Sequence, residues 1–266
     1  MDAASACCAP SWRPEMFRPR VIPVLLLRNG GLVKTTRFGK PTYVGDPINA
    51  VRIFNDLEAD ELIFLDIMAS REKRVISLDF VREVGEEANM PFAVGGGIRT
   101  LEDIRAILGA GAEKVVLNTV AAENPDFIAA AADTFGSSTV VVCMDVKKPL
   151  LGKLQTWAVC GTQATGRAPE EFARLAADKG AGEIIVQSIE RDGTMQGYDI
   201  PLVRSIAEAV PIPVVALGGA GGLHDLLRGR SEGLATAVAA GSMFVFHGPR
   251  RGVLITYPER SEMAFQ

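Results

Sequence analysis

Two kinds of residue in this chain have the chemistry of an active site: carboxylates that end apolar runs, and small residues in turns. Asp145 ends the apolar run 140–144, and Asp66 ends the run 62–65. Such a carboxylate is a candidate general acid or base, and a helix cap or turn is its usual alternative role. For Asp145 we favour catalysis, because nothing after it looks like a helix start. Asp192, in R-D-G-T, either positions a phosphate-binding loop or contacts a substrate.

Turns of small residues follow several apolar runs, in V-G-G-G-I, L-N-T, R-D-G-T, L-G-G-A-G and A-A-G-S. Small residues let backbone N–H groups approach an anion, and a following helix start adds partial positive charge. One such turn is a weak signal, because glycine often serves only a tight turn. Paired sets favour two phosphate sites that face each other, and the predicted binding residues are Gly96, Gly97, Asn118, Thr119, Asp192, Gly193, Thr194, Gly218, Gly219, Gly241 and Ser242.

Four charged residues stand at the other end of these runs, directly before or at the start of a strand-like segment: Arg20, Glu61, Lys114 and Glu183. Their signs alternate along the chain. For any single member, a solvated strand end is the ordinary interpretation. For the set, a structural or gating cluster of ion pairs is at least as well supported, because charges that enter a buried sheet must be paired.

The elements that would position these residues alternate strictly. We predict strands near residues 21–27, 62–66, 91–94, 115–118, 139–145, 184–187, 213–216 and 235–239, and helices at 47–58, 76–88, 101–108, 125–135, 169–179, 201–210 and 223–228. This alternation predicts a parallel sheet buried on both faces, and eight units close into a (β/α)8 TIM barrel with function at the carboxyl ends of its strands. The segment after the last strand is too short and β-branched for a closing helix.

The sequence also repeats itself at an offset of 122 positions. Glu61 corresponds to Glu183, while Gly96 and Gly97 correspond to Gly218 and Gly219, each in a similar apolar context. This offset is too long for a solenoid repeat. The repeat therefore predicts a barrel built from two similar half-barrels, with two similar sites.

Composition excludes several classes of protein. A chain of 266 residues, 48% hydrophobic and without a Pro/Ser-rich linker, favours one barrel domain, residues 16–266, over two smaller ones. The net charge of -4 and the lack of a basic cluster longer than Arg250–Arg251 argue against nucleic acid or an anionic membrane surface as a partner. No apolar run approaches the roughly 20 residues that span a bilayer.

Residues 1–15 lack the features of a secretory signal, so we interpret them as a disordered extension or as sequence upstream of a start at Met16. The two histidines, His224 and His247, have no second ligand at metal-binding spacing, and we expect neither a metal nor a cofactor. The cysteines have neither zinc-finger nor C-x-x-C spacing, which favours a reduced, cytoplasmic protein; they are Cys7, Cys8, Cys143 and Cys160.

An ordered set of motifs resembles the cyclase subunit of imidazole glycerol phosphate synthase, the HisF family. The set covers residues 20–246 and includes R-V-I-P-V-L-L-L-R-N-G-G-L-V-K, F-L-D-I, V-G-G-G-I, G-A-G-E-I, S-I-E-R-D-G-T, G-Y-D and A-L-G-G-A-G. The resemblance implies a duplicated half-barrel, a glutaminase (HisH-like) partner docked on the barrel floor as a heterodimer, and ammonia passing up the barrel to a phosphorylated small molecule. It also places Arg20, Glu61, Lys114 and Glu183 on the family's charged ring, as an ammonia gate.

The chain departs from the family at the catalytic centre. In the family the first strand ends with a catalytic aspartate, in a pattern like C-L-D-V-K-x-G, and the aligned residue here is Leu26. The second catalytic aspartate is retained as Asp145, and Lys34 matches a lysine that contributes to the cyclase step. Losing one member of an acid–base pair typically costs about 100-fold to 10,000-fold in rate. Gln187 and Leu217 replace the small hydroxyl residues that are usual in the family.

The signature L-L-L-R-x-G-G-L-V-K and the ending V-L-I-x-Y-P are similar to a HisF-like subgroup associated with glycosyl amidation in surface-polysaccharide and O-antigen pathways. The first hypothesis is therefore a barrel subunit of a glutamine amidotransferase system that channels ammonia to a sugar amidotransferase. The second is a true cyclase, the ammonia-dependent lyase of histidine biosynthesis. The third is a non-catalytic barrel that binds a phosphorylated sugar and regulates the glutaminase.

Overall fold

The computed structural model describes residues 19–149 and 152–263. Within these ranges eight parallel strands form a closed barrel: β1 (Arg20–Arg28), β2 (Leu62–Asp66), β3 (Phe92–Gly95), β4 (Lys114–Leu117), β5 (Val140–Lys147), β6 (Glu183–Ser188), β7 (Val214–Leu217) and β8 (Ala237–Ala240). Each strand pairs in parallel with the next, and β8 pairs with β1, so the ring is complete. The predicted (β/α)8 barrel is confirmed. The predicted extension at residues 1–15 lies outside the described ranges.

Helices alternate with the strands around the outside of the barrel. Those in the described ranges are α1 (Pro47–Asp56), α2 (Leu78–Glu87), α3 (Leu101–Gly109), α4 (Thr119–Glu123), α5 (Asp126–Phe135), α6 (Pro169–Asp178), α7 (Ile200–Ala209) and α8 (Leu223–Ser231). All except the short α4 match a predicted helix. The start of α1 is capped locally, because the Asp46 side chain accepts a bond from the Asn49 amide and Pro47 occupies the first turn. None of the described helices has the length and apolar character needed to cross a bilayer.

The two half-barrels are similar in structure. Helices α1 and α6 begin and end 122 positions apart, as do α2 and α7, and α3 and α8. Strands β3 and β7 are related by the same offset. The repeat in the sequence is therefore a repeat of the fold, and in these elements positions 122 apart occupy equivalent places in the two halves.

The buried side chains form two layers. Between strands and helices lies a large apolar cluster that includes Phe54, Phe64 and Ile104. Inside the barrel lies a smaller one, made of Ile22, Val24, Ile63, Ala93, Val116, Val141, Cys143, Ile185, Val215, Leu217, Ala237 and Ala239. Because side chains alternate across a strand, the charged residues at the strand starts and the polar residues at the strand ends lie below and above this inner cluster.

A hairpin covers the barrel mouth in each half, and the sequence did not predict either one. After β1, the strand Gly31–Lys34 folds back on β1 and continues into Thr42–Gly45. After β5, the strand Gln155–Ala158 folds back on β5 and pairs with Gln163–Ala164. The strands of both hairpins are short and lie among glycines and polar residues, so the sequence pattern there indicates loops.

A non-helical tail takes the place of a closing helix after β8. In the described residues it consists of a 3-10 turn (Ser242–Phe244), a short hairpin (Phe246–His247 with Gly252–Val253) and a second 3-10 turn (Arg260–Met263). Tyr257 anchors it to the floor, since its hydroxyl donates to the Val21 carbonyl (2.8 Å) and accepts from the Asp60 amide (3.1 Å). The tail therefore occupies the place of an eighth helix with irregular chain, as its short, β-branched sequence predicted.

Candidate functional site

The carboxyl ends of all eight barrel strands surround a pocket of about 320 Å³, the size of a small-molecule site. We call this end of the barrel the mouth. Its lining brings together most of the predicted site residues: Leu26, Lys34, Gly96, Gly97, Asn118, Thr119, Asp145, Asp192, Gly193, Gly218, Gly219, Gly241 and Ser242. The carboxylates, the lysine and the small-residue turns therefore share one cavity.

Two predicted candidates are engaged by neighbouring groups. The Thr194 hydroxyl donates to the Arg191 carbonyl (2.7 Å), and Thr194 is not part of the pocket lining, so its role in phosphate binding stays a prediction. Asp66 lines the pocket but is fully engaged: it accepts from Arg74 (2.6 Å) and from the amides of Met68 and Ala69. Of the two alternatives for Asp66, the turn carboxylate is the one observed.

Asp145 lies at the end of β5 and is only 6% exposed. Burial raises the pKa of its carboxyl to about 8, with a further rise from the charge of Asp192, against an opposing hydrogen bond from Asn118. At neutral pH a carboxyl with this pKa is largely protonated. Asp145 can therefore donate a proton as well as accept one, as a general acid–base residue must.

Leu26 occupies on β1 the place that Asp145 occupies on β5. In register, Leu26 lies beside Leu65 of β2, and Asp145 lies beside Gln187 of β6. The Leu26 side chain is half-buried, packs against the inner cluster and lines the pocket. An aliphatic chain cannot transfer protons, so β1 supplies no counterpart to the Asp145 carboxyl.

Lys34 reaches the pocket from the hairpin that follows β1. Its Nζ donates to the Val24 carbonyl (2.5 Å), and a Cβ on Gly241 would lie 2.7 Å from that nitrogen, so the absence of a side chain there makes room for the amine. Lys34 is 5% exposed. Burial lowers the pKa of its ammonium to about 8, while attraction to Asp192 opposes the change. Near neutral pH, this amine can therefore exchange a proton with a ligand.

Asp192 ties the β1 hairpin to the loop after β6. Its Oδ2 accepts from the Thr35 hydroxyl (2.9 Å), and its carbonyl accepts from the Arg37 amide (2.9 Å). Burial raises the pKa of its carboxyl despite these bonds and the nearby Lys34. The next residue, Gly193, has φ +66, and a Cβ there would lie 2.0 Å from the Thr35 carbonyl oxygen. Asp192 and Gly193 thus hold the hairpin after β1 in place over the pocket.

Gln187 fills the space between Asp145 and Asp192. Its Nε2 donates to Asp192 Oδ1 (3.2 Å), and the side chain is buried at 5% exposure. Its Oε1 is buried and has no hydrogen-bond partner among the described residues. Leu217 lies beside it on β7. The centre of the pocket is therefore shaped by one amide and one leucine.

The paired glycine turns are equivalent in the two halves. Gly96 and Gly97 pack against the loop after β2, where a Cβ on Gly97 would lie 1.8 Å from the Arg74 carbonyl oxygen. Gly218 and Gly219 pack against the loop after β6, where a Cβ on Gly219 would lie 2.2 Å from the Gly197 carbonyl oxygen. Both pairs have positive φ, which glycine adopts without strain. Close loop packing is thus one reason for these glycines, and both turns also line the mouth.

The turns after β4 and β8 complete the two predicted phosphate cradles. Asn118 and Gly241 precede them, and in the described structure neither turn has a side-chain cap. By contrast, the first turn of α3 is closed by a Thr100–Asp103 capping box. That the turns at Thr119 and Ser242 bind an anion through their backbone amides stays a prediction.

The floor carries a closed ring of ion pairs, as the alternating charges predicted. Glu61 binds Arg20 (2.5 Å) and Lys114 (2.9 Å), and Glu183 binds Lys114 (3.4 Å) and Arg20. The glutamate side chains are nearly buried, whereas those of Arg20 and Lys114 are 37% and 22% exposed. The two glutamates raise the pKa of the Arg20 guanidinium against the effect of its burial. We call this set the floor ring.

Sequence reasoning did not single out several residues that line the pocket. Arg28, Thr35 and Phe38 belong to β1 and its hairpin, and Cys160 belongs to the hairpin after β5. Burial raises the pKa of the Cys160 thiol. For the first three, proximity to Lys34 in sequence was an available signal. For Cys160 no local pattern was available, because its position depends on the fold of the second hairpin.

Comparison with known proteins gives consistent matches over nearly the whole chain. Residues 20–249 match the family described as histidine biosynthesis protein. A relative from Pseudomonas aeruginosa, provisionally named imidazole glycerol phosphate synthase subunit hisF2, is 48% identical over 248 residues, 93% of this chain and 99% of the relative. A relative from Leptospira interrogans, provisionally named as the HisF subunit of the same enzyme, is 44% identical over 248 residues, again 93% of this chain and 98% of the relative. One from Vibrio vulnificus, provisionally named hisF3, is 44% identical over 249 residues, 93% of this chain and 96% of the relative.

Proposed function

Because the chain belongs to the histidine biosynthesis protein family as a HisF-like barrel, we propose that it is the ammonia-channelling subunit of a glutamine amidotransferase system. A HisH-like glutaminase docks on the floor as a heterodimer and releases ammonia there. The ammonia passes up the barrel to a cytoplasmic sugar amidotransferase of surface-polysaccharide, or O-antigen, biosynthesis. The observation that carries the proposal is a complete floor ring combined with Leu26 at the mouth.

The floor ring serves as the gate. Lys114 is the mobile member, because its bond to Glu183 is 3.4 Å long and its flexible stem is already in contact with solvent. Arg20 binds both glutamates and keeps them in place when Lys114 swings away. A docked glutaminase opens the gate by offering Lys114 another partner.

The inner cluster above the ring selects neutral ammonia. It is apolar, and moving an unpaired ammonium ion through it would cost far more than moving ammonia. The smallest side chains in the layer are those of Ala93, Ala237 and Ala239. They obstruct the path of ammonia least, so this path lies on the β3 and β8 sides of the barrel. Ammonium is therefore excluded from the inner cluster, and neutral ammonia passes through it.

The mouth receives a phosphorylated small molecule in this proposal. The glycine turns and the uncapped turns at Thr119 and Ser242 face one another across the pocket, which suits a ligand with phosphates at both ends. The ligand lies over the exit of the barrel, so that ammonia emerges beside it.

The test uses the complex of barrel, glutaminase and ammonia-accepting enzyme. Ala239→Leu narrows the inner cluster without touching the floor ring, and it should lower the amidated product formed per glutamine hydrolysed. Ala131→Leu is the matched control, because Ala131 is equally buried but lies in the outer layer on α5. Equal product yield for wild type and Ala239→Leu would refute the conduit.

A second candidate is a true cyclase, the ammonia-dependent lyase of histidine biosynthesis. Its support is the retention of Asp145 and Lys34 in the same pocket as both phosphate cradles. The purified barrel should then convert the ribulosyl bisphosphate intermediate with added ammonium salt at a rate normal for such enzymes. Turnover at that rate would make cyclisation the main function in place of ammonia channelling. No turnover would rule out the cyclase and leave the channelling proposal standing.

A further inference from the structure

Arg28 differs from the other half-buried arginines of the described structure. Each of those has a carboxylate or a backbone carbonyl as a side-chain partner; they are Arg20, Arg74, Arg167, Arg191, Arg228 and Arg230. No described residue gives the Arg28 side chain a hydrogen bond or an ion pair. A guanidinium ion is rarely withdrawn from water unless it is paired, so this side chain indicates a site for an anion.

The fold directs Arg28 into the mouth pocket. Side chains alternate across a strand, and Leu26, which packs with the inner cluster, lies two positions before Arg28 on β1. Arg28 therefore lies one step above Leu26, and it lines the pocket. Its Nε is enclosed, but neither of its two terminal nitrogens is. A ligand in the pocket can therefore reach the end of this side chain.

A second arginine without a hydrogen bond or ion pair to a described residue, Arg71, lines the same pocket from the loop after β2. This loop packs on β1, since the Ile67 amide donates to the Leu27 carbonyl (3.1 Å). The turn that carries Arg71 is closed by a bond from the Glu72 amide to the Met68 carbonyl (2.9 Å). The two arginines thus belong to the β1–β2 side of the mouth.

The acids nearest to Arg71 in the chain are engaged by another cation. Asp66 and Glu72 both bind Arg74, at 2.6 Å and 2.7 Å. Asp145 lies across the mouth on β5. The β1–β2 side of the mouth therefore carries two guanidinium groups that no described acid contacts.

We propose that Arg28 and Arg71 bind a carboxylate or phosphate group of the mouth ligand, in addition to the groups held at the two predicted cradles. The inference rests on the proposed function, which makes the mouth a ligand site. The cradles follow β3–β4 and β7–β8, so a ligand that spans them passes between β5–β6 and β1–β2. Its third anionic group lies toward the arginines, whose forked N–H groups suit an oxyanion. A bisphosphate held by the cradles alone would leave both arginines unused.

Cys160 provides a local reporter of this site. It lines the same pocket, and its Sγ donates to the Ile67 carbonyl (3.2 Å) in the loop that carries Arg71. Burial and the charge of Asp145 raise the pKa of the Cys160 thiol, whereas Arg71 lowers it. The thiol is therefore close enough to Arg71 to respond to its charge.

The experiment alkylates Cys160 in the purified full-length chain with iodoacetate, a carboxylate probe, or with iodoacetamide, its neutral counterpart of similar shape. In both reactions the thiolate displaces iodide, so the ratio of the two rates does not depend on how much thiolate is present. Mass spectrometry of the peptide that contains Cys160 gives each rate. The ratio of iodoacetate to iodoacetamide should exceed that of free cysteine about tenfold or more, the gain expected for a hydrogen bond to a charged group.

Arg28→Gln and Arg71→Gln each remove one guanidinium and should lower this ratio toward that of free cysteine. Arg99→Gln is the matched control, because Arg99 lies on the loop after β3 at the same end of the barrel but not in the pocket lining. A wild-type ratio equal to that of free cysteine, or one that neither pocket variant lowers, would overturn the proposal. An equal fall in Arg99→Gln would show general attraction to a basic surface and overturn it too.

Competition identifies the group that the site takes. Acetate or inorganic phosphate is added before iodoacetate, with sodium chloride at equal ionic strength as the control. Stronger protection of Cys160 by acetate assigns a carboxylate, and stronger protection by phosphate assigns a phosphate. Only protection that Arg28→Gln abolishes belongs to this site, since phosphate at a cradle would still protect the variant. If Arg28→Gln loses no protection, the proposal fails.

The outcome is separable from that of the proposed function. The anion site is measured on the barrel alone, whereas channelling is measured in the complex through Ala239→Leu. If the anion site fails and Ala239→Leu still lowers the product yield, ammonia channelling stands without a third anionic group on the ligand. If the arginines bind the probe and Ala239→Leu has no effect, the site exists and the channelling function fails alone.

Discussion

Glu61 and Glu183 lie 122 positions apart, and each binds both Arg20 and Lys114. The duplication of the half-barrel therefore produced two equivalent acids, whereas the two cations come from non-equivalent strands, β1 and β4. Each cation depends on both acids. The ring can lose one contact, such as that of Lys114 with Glu183, and still keep all four charges compensated.

Removing one acid from the floor ring should destabilise the barrel. Glu183→Gln leaves Arg20 and Lys114 to share Glu61, and we expect a loss of about 1–3 kcal/mol in the free energy of unfolding, reduced from the fully buried case because Arg20 is partly exposed. Urea denaturation measures it. Glu232→Gln, which removes an exposed partner of Arg228 on α8, should leave the unfolding midpoint unchanged.

Asp145 should make the barrel less stable as pH rises. Its pKa in the folded protein, about 8, is above the ordinary value of 3.8, so the folded state binds the extra proton and stability falls between these pH values. Asp145→Asn should therefore raise the melting temperature at pH 9 much more than at pH 4. Equal gains at both pH values would contradict a raised pKa.

Lys34 should have the opposite dependence. Its pKa in the folded protein, about 8, is below the ordinary value of 10.5, so the unfolded state binds the extra proton and stability rises with pH across that interval. Lys34→Met should stabilise the protein at pH 7 and lose this advantage toward pH 10.5. Melting curves at the two pH values, with Lys179→Met on the surface as the control, measure the difference.

Placing a carboxylate at the end of β1 tests whether an acid at this position allows cyclase chemistry in the mouth. Leu26→Asp places an acid across from Asp145 and should cost about 1–3 kcal/mol, because Leu26 packs against the apolar inner cluster. If the pocket still accepts the bisphosphate, cyclase turnover with ammonium salt should appear. Leu26→Asn has the same size without the acid and should stay inactive. Equal turnover in both variants would show that the acid is not the missing element.

The tail should be a stabilising replacement for the absent closing helix. Tyr257→Phe removes a hydroxyl that joins Val21 and Asp60, and we expect a loss of about 1–2 kcal/mol in the free energy of unfolding. Tyr43→Phe alters a side chain that is 69% exposed and serves as the control. Urea midpoints that do not differ between the two variants would assign no such role to Tyr257.

Local patterns in the sequence were sufficient to predict the barrel, its strand ends and the floor ring. Arg20 and Glu183 could be assigned to one charged cluster before the structure was known, because both begin strands of one closed sheet, although their direct contact could not. The hydrogen bond from Gln187 to Asp192 could not be predicted, because it depends on how the loop after β6 folds back over the strand. The anchor of Tyr257 joins residues 236 positions apart in the chain, Val21 and Tyr257. Such contacts follow from packing and leave no periodic signal.

The two halves of the mouth now differ in how they meet water. At equivalent inward positions, β1 and β2 carry Leu26 and Leu65, whereas β5 and β6 carry Asp145 and Gln187. At these four positions the β1–β2 side is apolar and the β5–β6 side carries hydrogen-bonding groups. A polar group of a bound ligand that reaches this level of the pocket therefore finds its partners on β5 and β6, and not on β1 and β2. The two-fold symmetry of the backbone is thus absent from the chemistry of the mouth.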